Sequence, residues 1–138
     1  DFSHDGRGVT RIDGKTVFVF NALPKETVEI EILKRHARFD EAIATNILSP
    51  HHERIEPRCD NFARCGGCRL QHVSQNEQIR FKERVLLNHL KHFGKITPEQ
   101  VLPPLFSESY GYRSRARYSV DESGNLGFRG LLDPSEVI

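Results

Sequence analysis

Methionine and tryptophan are absent from the sequence, cysteine occurs only three times, and there is no long apolar run. Because methionine is missing, residue 1 is not a natural translation start, and we expect the 138 residues to belong to a longer protein. The apolar runs are too short to cross a membrane and no leader peptide opens the chain, so neither a membrane protein nor a secreted one is indicated. Twenty Lys and Arg against nineteen Asp and Glu give a net charge of +1, so any nucleic-acid site must be a local basic patch.

Composition and length indicate a folded protein with one or two small domains. The apolar share of 37% together with ten glycines is close to the globular average, which excludes disordered and collagen-like classes. The chain is long enough to bury a core. The patterns described below predict a mostly β protein with one long helix, an α+β class.

The first fifty residues carry a series of β-type segments. Residues 9–12 and 15–20 flank an Asp-Gly pair, which is a strong hairpin signal because glycine tolerates the positive φ of a type I′ turn. Residues 27–33 alternate apolar and acidic side chains with period two, and residues 42–47 form another candidate strand. We therefore predict a small β-barrel or meander over residues 1–50.

Barrels of this size commonly bind oligonucleotides through their loops and one open face, but a structural or protein-binding module is an equal alternative. The candidate RNA-binding residues in this part are the basic side chains near the first hairpin and near the later turn, namely Arg7, Arg11, Lys34 and Arg35. If they do not bind RNA, these residues are ordinary solvated turn positions.

A proline-bounded polar segment, residues 50–57, separates the barrel from a cluster of all three cysteines. Cys59, Cys65 and Cys68 have the spacing C-x5-C-x2-C, which brings sulfurs close together as metal ligands. We expect Gly66 and Gly67 to adopt positive φ and to direct N–H groups at sulfur. Flanking arginines favour the thiolate form that binds metal.

Four interpretations of these cysteines remain open on spacing alone. An iron–sulfur cubane needs four cysteines, one more than this chain has. A structural zinc site can combine the three cysteines with His72, or with His51 or His52. A disulfide between Cys59 and Cys65 is disfavoured in a reducing compartment, and the last alternative is free thiols. None of the three stands apart in the way expected of a catalytic nucleophile.

The next segment predicts a helix over residues 75–93. Ser74 and Glu77 form the S-x-x-E capping pattern at its start, and Gly94 suits its end. Apolar residues at helical spacing predict a stripe that packs into the core, consisting of Ile79, Leu86, Leu90 and Phe93.

A basic hairpin is predicted after this helix. Residues 112–120 alternate so that Arg113, Arg115 and Arg117 share one strand face, and residues 126–129 return with Arg129. Arginine forks bind phosphate oxygens, which makes this stripe a candidate RNA contact. Pairing with nearby acids, or protection of an edge strand, is the alternative.

Taken together, several motifs resemble the bacterial 23S rRNA uracil-5-methyltransferases of the RlmD (RumA) type. The most specific motif is the cysteine pattern followed by Leu70-Gln71-His72. Further matches are SHDGRGV at 3–9, DGKTVFV at 13–19, YRSRAR at 112–117 and GFR at 127–129. The resemblance covers essentially all 138 residues.

The resemblance implies an amino-terminal OB-like TRAM β-barrel over residues 1–50. It implies that residues 51–138 begin an α+β central domain in which Cys59, Cys65 and Cys68 bind a [4Fe-4S] cluster. The family's fourth cluster cysteine would fall beyond Ile138, and His72 becomes a packing residue. The cluster would then act as a staple for the central domain, although its structural and redox roles stay open.

The resemblance also implies the chemistry of the parent enzyme. A cysteine thiolate adds to C6 of the uracil, C5 takes the methyl group of S-adenosylmethionine, and a base removes the C5 proton. Those catalytic residues belong to a carboxy-terminal domain, so we expect no catalytic residue in this chain. The implied partner is 23S rRNA in the cytoplasm, with no membrane and no obligate protein partner.

Three rival functions accompany this interpretation. One is a self-standing RNA-binding protein with a Cys3His zinc site, and another is a related methyltransferase that acts on a different RNA. A non-catalytic electron carrier is disfavoured because a fourth thiolate is missing.

Overall fold

The computed structural model describes all 138 residues and has a mostly β architecture with one long helix. The strands are β1 Gly8–Ile12, β2 Lys15–Phe20, β3 Thr27–Arg35, β4 Phe39–Ser49, β5 Ser119–Val120 and β6 Leu126–Gly127. Helix α1 spans Gln75–His89 and continues into a π-helical turn over Leu90–Gly94.

The predicted first hairpin is confirmed. β1 and β2 pair antiparallel, and Asp13 and Gly14 between them have φ values of 50° and 80°. Two successive residues with positive φ match the twist of the flanking strands, as a type I′ turn requires.

The four amino-terminal strands form one sheet in the order β1-β2-β4-β3, in which β2 and β4 are parallel. The strand alternation places Val17 and Val19 of β2 in a core with Ala42 and Ala44 of β4. The predicted closed barrel is not formed, because β1 and β3 remain the two edges of an open sheet. The ladder between β3 and β4 is interrupted by register shifts, which bend these long strands.

A second core joins the sheet to the rest of the chain. Leu23, which follows β2, packs with Val73 and Phe81, and all three are buried. Phe2 adds its ring at 4.5 Å from the ring of Phe81. Leu70, next to the cysteine motif, lies against the same cluster. The start of α1 is therefore fixed to the sheet by apolar packing.

Beside this core lies a buried ion pair between Glu26 and Arg54. The Glu26 carboxylate has no exposed surface and accepts hydrogen bonds from Arg54 Nε at 2.6 Å and Arg54 Nη2 at 2.8 Å. The backbone N–H groups of Leu23 and His51 also donate to it. Burial raises the pKa of Glu26, but these four hydrogen bonds outweigh burial and the net pKa is lowered.

Helix α1 begins where the capping pattern predicted. The Ser74 hydroxyl accepts a hydrogen bond from the Glu77 N–H at 3.3 Å. The reciprocal half of the capping box is absent, because the Ser74 N–H donates to the carbonyl of Glu53 and the Glu77 carboxylate pairs with Arg80. The helix start is thus shared with the linker segment.

The predicted core face of this helix is wrong. Phe81 and Glu77 are its buried residues, whereas Leu86 is 58% exposed and Phe93 is 81% exposed. The helix buries side chains only near its start, and the contact at its end is that of the His89 ring, which lies 5.9 Å from the ring of His4. Lys95, with φ of 54°, takes the left-handed position that we expected for Gly94.

The predicted strand over residues 112–120 is also wrong, since only Ser119–Val120 pairs with Leu126–Gly127. The returning segment finds a different partner, because the N–H and carbonyl of Phe128 both bond to Ile138. Residues 112–118 are therefore irregular and exposed.

No helix in the structure has the length and apolarity that crossing a membrane requires.

We predict that Glu26→Gln lowers the free energy of unfolding by about 3 kcal/mol, because it leaves the Arg54 charge buried without a counterion. Glu31→Gln, on an exposed position of β3, should have no measurable effect. Urea unfolding of both variants at neutral pH measures the difference.

The same ion pair makes the free energy of unfolding depend on pH in the acid range. Because the folded pKa of Glu26 is below its ordinary value of 4.5, the stabilisation is present above that pH and is lost as pH falls through the folded pKa. Glu26→Gln should flatten this part of the stability–pH curve. An unchanged curve would contradict the assignment.

Candidate nucleic-acid interface and cysteine loop

The face of the sheet opposite the valine core carries half-exposed aromatic rings. Phe18 and Phe20 alternate with the buried valines of β2, and Phe39 starts the neighbouring strand β4. The rings of Phe18 and Phe39 meet edge to face at 5.5 Å, and His36 stacks on Phe39 at 4.3 Å. Rings on a sheet surface are the kind of platform on which nucleotide bases stack.

Arg7, a predicted RNA contact, lies across these rings. Its guanidinium carbon is 4.7 Å from the centre of the Phe18 ring, and the side chain is 15% exposed. It also forms ion pairs at 2.8 Å with Asp5 and with Glu41. Burial raises the pKa of both acids, but hydrogen bonds outweigh burial and the net pKa of each is lowered. Asp5 is bonded by Ser3 and Arg7, and Glu41 by Arg7 and His36. The charge of Arg7 is therefore already balanced by protein carboxylates.

The other three predicted cations of this part lie at one end of the sheet. Strand register places Arg11 opposite Thr16 and Thr16 opposite Phe39, while Arg35 pairs with Asp40. Arg11, Lys34 and Arg35 are all exposed. The main ion-pair partner of Asp40 is Lys15, whose Nζ lies 2.6 Å from Asp40 Oδ1. The ion pair with Arg35 is weaker, because Arg35 Nη1 lies 3.7 Å from Asp40 Oδ2. The fold therefore gathers three exposed cations at one end of the sheet. Arg11 and Lys34 register on the aromatic face, whereas Arg35 registers with Asp40 and Val17 on the opposite face.

Arg69 is a residue of this region that the sequence did not single out as an RNA contact. Its guanidinium carbon lies 5.1 Å from the centre of the Phe20 ring, on a side chain that follows directly after Cys68. Arg69 has no ion pair. From the sequence, Arg69 could be assigned only a role beside the Cys68 thiol. Its contact with Phe20 of β2 could not be predicted, because that contact depends on the tertiary fold. Arg69 thus links the cysteine loop to the aromatic face.

The three cysteines differ in exposure and none forms a disulfide. Cys59 is exposed, Cys68 is half-buried and Cys65 is buried. The Gly67 N–H donates to Cys65 Sγ at 3.3 Å, as expected, and the Gln71 side-chain amide donates to Cys68 Sγ at 3.2 Å. Burial raises the pKa of the Cys68 thiol, the Gln71 bond lowers it, and the nearby Cys65 and Cys59 raise it further.

Gly66 and Gly67 do not take the positive φ that we predicted. Their lack of a side chain matters for another reason, which is the close approach of residues 128–131. A Cβ on Gly66 would lie 2.8 Å from the carbonyl oxygen of Arg129, and one on Gly67 would lie 2.8 Å from the Phe128 ring. The Gly66 N–H donates to that same carbonyl at 2.8 Å. The cysteine loop is therefore packed directly on the returning segment.

No three or more His, Cys, Asp and Glu side chains are grouped closely enough to hold a metal ion. His72, the alternative zinc ligand, is fully buried beside the Phe62 ring, and neither of its ring nitrogens has a hydrogen-bond partner. Burial lowers the pKa of His72 to about 4, and Arg54 adds to this effect against Glu26, so the imidazole is neutral. The structure gives no support to a Cys3His zinc site.

The predicted arginine stripe is exposed but is not built as a strand face. Arg113, Arg115 and Arg117 line a shallow concavity of the irregular segment. The guanidinium carbon of Arg113 lies 5.6 Å from the centre of the Tyr112 ring. Arg129 donates weakly to the carbonyl of Ser135 at 3.4 Å. These four arginines lie in the carboxy-terminal part of the chain, separately from the cations of the sheet.

We predict that Gly66→Ala destabilises the cysteine loop by about 2 kcal/mol, since its Cβ meets a backbone carbonyl that cannot rotate away. Gly94→Ala is the control, because the added Cβ there makes only ordinary contacts at 3.6 Å or more. Thermal unfolding of both variants tests this, and equal effects would contradict it.

Comparison with known proteins places these features in a family context. Residues 1–45 match the TRAM domain family. The chain is 50% identical over 118 residues to a protein of Hahella chejuensis, which corresponds to 86% of this chain and 26% of that protein. It is 43% identical to a Legionella pneumophila protein, over 97% of this chain and 31% of that protein.

A Xylella fastidiosa protein is 47% identical over 94% of this chain and 31% of its own length. All three relatives are named 23S rRNA (uracil(1939)-C(5))-methyltransferase RlmD. The chain spans about a quarter to a third of the length of these curated relatives. The chain therefore matches the TRAM domain family over residues 1–45 and is similar, over most of its length, to part of the proteins named RlmD.

Proposed function

We propose that this chain is the RNA-recognition portion of an enzyme that methylates C5 of a uridine in 23S rRNA. The observation that carries the proposal is the similarity to RlmD proteins over 94–97% of the chain in two relatives, together with the TRAM match. S-adenosylmethionine supplies the methyl group when it is bound to the whole enzyme. We assign no catalytic residue to these 138 residues, and we place the enzyme in the cytoplasm with the ribosomal RNA.

RNA recognition by this chain combines stacking with phosphate binding. The aromatic face of the sheet suits unstacked bases, because every base can stack on a ring irrespective of its identity. Arg11 and Lys34 lie on this face and Arg35 lies at the same end of the sheet on its other face. None of the three has a strong carboxylate partner, so they are free to bind backbone phosphates. Arg7 orders the rings, while its own charge stays balanced by two acids.

The exposed arginines of the irregular segment form a second phosphate-binding set. Arg113, Arg115 and Arg117 line one shallow concavity and have no acidic partner. Arg129 joins this set from the returning segment. A substrate that reaches both sets must be at least partly single-stranded, as a base has to leave its stack for chemistry at C5.

Cys59, Cys65 and Cys68 hold a [4Fe-4S] cluster in the complete protein, with a fourth ligand from outside these residues. The support is the C-x5-C-x2-C spacing, the free state of all three thiols, and the N–H groups of Gly67 and Gln71 that donate to sulfur. The fit is partial, since three thiolates are one fewer than the cluster needs and they are not gathered into a metal-binding group here. When bound, such a cluster would cross-link the three cysteines of this loop to the segment that supplies the fourth ligand.

The stand-alone zinc protein is the weaker alternative. Its Cys3His site takes His72 as the fourth ligand, but His72 is buried against Phe62, and no histidine is grouped with the cysteines. The relatives that match the chain are named as methyltransferases, not as zinc proteins.

Replacement of Arg11, Lys34 and Arg35 by Gln should weaken binding to a 23S rRNA fragment and reduce the slope of log affinity against log salt by about one unit per lost phosphate contact. The triple variant of Arg113, Arg115 and Arg117 should behave in the same way. Fluorescence anisotropy at several salt concentrations measures both effects.

The matched control for these variants replaces Arg84, Lys91 and Lys95, which are exposed cations of the helical region. It removes the same total charge and should leave the salt slope unchanged. If all three triple variants lose affinity equally, binding depends on net charge alone and the assigned interface is wrong.

Cys68→Ser in the complete protein should abolish the broad visible absorption of an iron–sulfur cluster and lower the iron content of the purified protein. His72→Leu, which removes the two unpaired nitrogens, should retain the iron. Metal analysis that finds zinc instead of iron, lost in both variants, would refute the cluster and support the alternative.

A further inference from the structure

The side-chain amide of Gln71 forms a hydrogen bond at its nitrogen end only. Its Nε2–H group donates to Cys68 Sγ at 3.2 Å, while its Oε1 is buried and has no hydrogen-bond partner. Turning the amide over would place Oε1 against the sulfur, and neither atom could then donate to the other. Because an unpaired buried acceptor costs free energy, the bond to sulfur is what determines the orientation of Gln71.

Gln71 provides the one side-chain donor to any of the three thiols. Cys65 Sγ accepts from a backbone group, the N–H of Gly67, and Cys59 Sγ accepts no hydrogen bond. The neighbouring Arg69 directs its guanidinium to the aromatic face of the sheet and makes no hydrogen bond with sulfur. The bond from Gln71 is thus the single hydrogen bond to these sulfurs that a side-chain substitution can remove.

The backbone that carries Gln71 is held on both sides. Leu70 packs on the buried core that joins helix α1 to the sheet, and His72 is fully buried. Gln78 of helix α1 donates through Nε2 to the carbonyls of Leu70 and Val73, each at 3.0 Å. A donor on such a frame is preorganised, since it does not have to move when the charge on the sulfur changes.

A donor aimed at a ligand sulfur acts on the redox chemistry of an iron–sulfur cluster. A ligand sulfur is a thiolate, and its negative charge increases when the cluster takes up one electron from a reductant. No bond is broken in this step, and the amide keeps its proton. Hydrogen bonds to charged acceptors are stronger than those to neutral ones, so an N–H group that points at the sulfur favours the reduced form.

We propose that Gln71 is a positioning residue that raises the reduction potential of the cluster through its hydrogen bond to Cys68 Sγ. The inference rests on the cluster of the proposed function and adds to it a residue that is not a ligand. It is carried by the one-ended amide, its distance to the sulfur and the fixed backbone around it. The same bond orients the Cys68 side chain, so Gln71 also slows the loss of iron.

Redox titration of the complete protein, purified without oxygen, tests the proposal, with the reduced fraction measured by visible absorption and electron paramagnetic resonance. At the potential where half of the wild-type cluster is reduced, Gln71→Leu should have a reduced-to-oxidised ratio several-fold lower. Gln71→Glu should be lower still, because its carboxylate repels the thiolate. Gln75→Leu is the matched control and should keep the wild-type ratio, since that amide donates to the carbonyl of Ser107 and not to sulfur.

The possible failures of this experiment are distinguishable. Equal ratios in Gln71→Leu and the wild type would overturn the role of Gln71 and leave the cluster standing. An equal fall in Gln75→Leu would overturn it as well, because the effect would then not come from the bond to sulfur. A wild-type protein without iron would refute the cluster and this proposal together. None of these readouts depends on methylation, so an RNA that is not methylated bears only on the proposed enzyme.

A measurement on the unsubstituted protein covers the case in which neither variant of Gln71 assembles a cluster. The glutamine side-chain amides are labelled with a heavy nitrogen isotope, and the reduced cluster is examined by pulsed electron paramagnetic resonance. The cluster spin should show a weak coupling to a labelled amide nitrogen, and Gln75→Leu should retain this coupling. Absence of the coupling in the wild-type protein would overturn the proposal.

Discussion

The contact on which the rest of the structure depends is the buried carboxylate of Glu26. It accepts four hydrogen bonds, two from Arg54 and two from the backbone N–H groups of Leu23 and His51, and so fixes the loop after β2 to the linker. The linker in turn bonds to the segment before α1, because the Ile55 N–H donates to the carbonyl of His72. The small core of Leu23, Val73 and Phe81 closes over the same junction. Because this junction positions the cysteine loop, Arg69 can reach the aromatic face of the sheet. The aromatic face of the sheet and the cysteine loop are thereby held together.

Features that arise from local chemistry could be predicted from the sequence. Asp13 and Gly14 specify a hairpin through their own backbone preferences, and Ser74 caps a helix through its own hydroxyl. The three-residue spacing of Cys65 and Cys68 likewise gives a tight loop in which N–H groups reach sulfur. The resemblance to RlmD-type methyltransferases, which rested on this loop, agrees with the relatives found by comparison.

Features that depend on which partner a segment finds could not be predicted. The alternation of residues 112–118 is typical of a strand, but the expected partner pairs with Ile138 instead, so no sheet edge is available. Leu86 and Phe93 have helical spacing, but the buried part of the helix ends at Phe81, so both side chains are exposed. The sheet did not close because β1 and β3 do not pair. The buried ion pair between Glu26 and Arg54 joins residues 28 positions apart, so neither the sequence around Glu26 nor that around Arg54 indicates it.

The most direct test of the account is the product formed by the complete protein. Unmodified 23S rRNA is incubated with the protein and S-adenosylmethionine, and the nucleosides are then analysed by mass spectrometry. The account predicts 5-methyluridine at a single uridine of the RNA, with loss of product when Arg11, Lys34 and Arg35 are replaced together. Methylation of a different class of RNA, or no 5-methyluridine at all from a folded protein that binds S-adenosylmethionine, would contradict it.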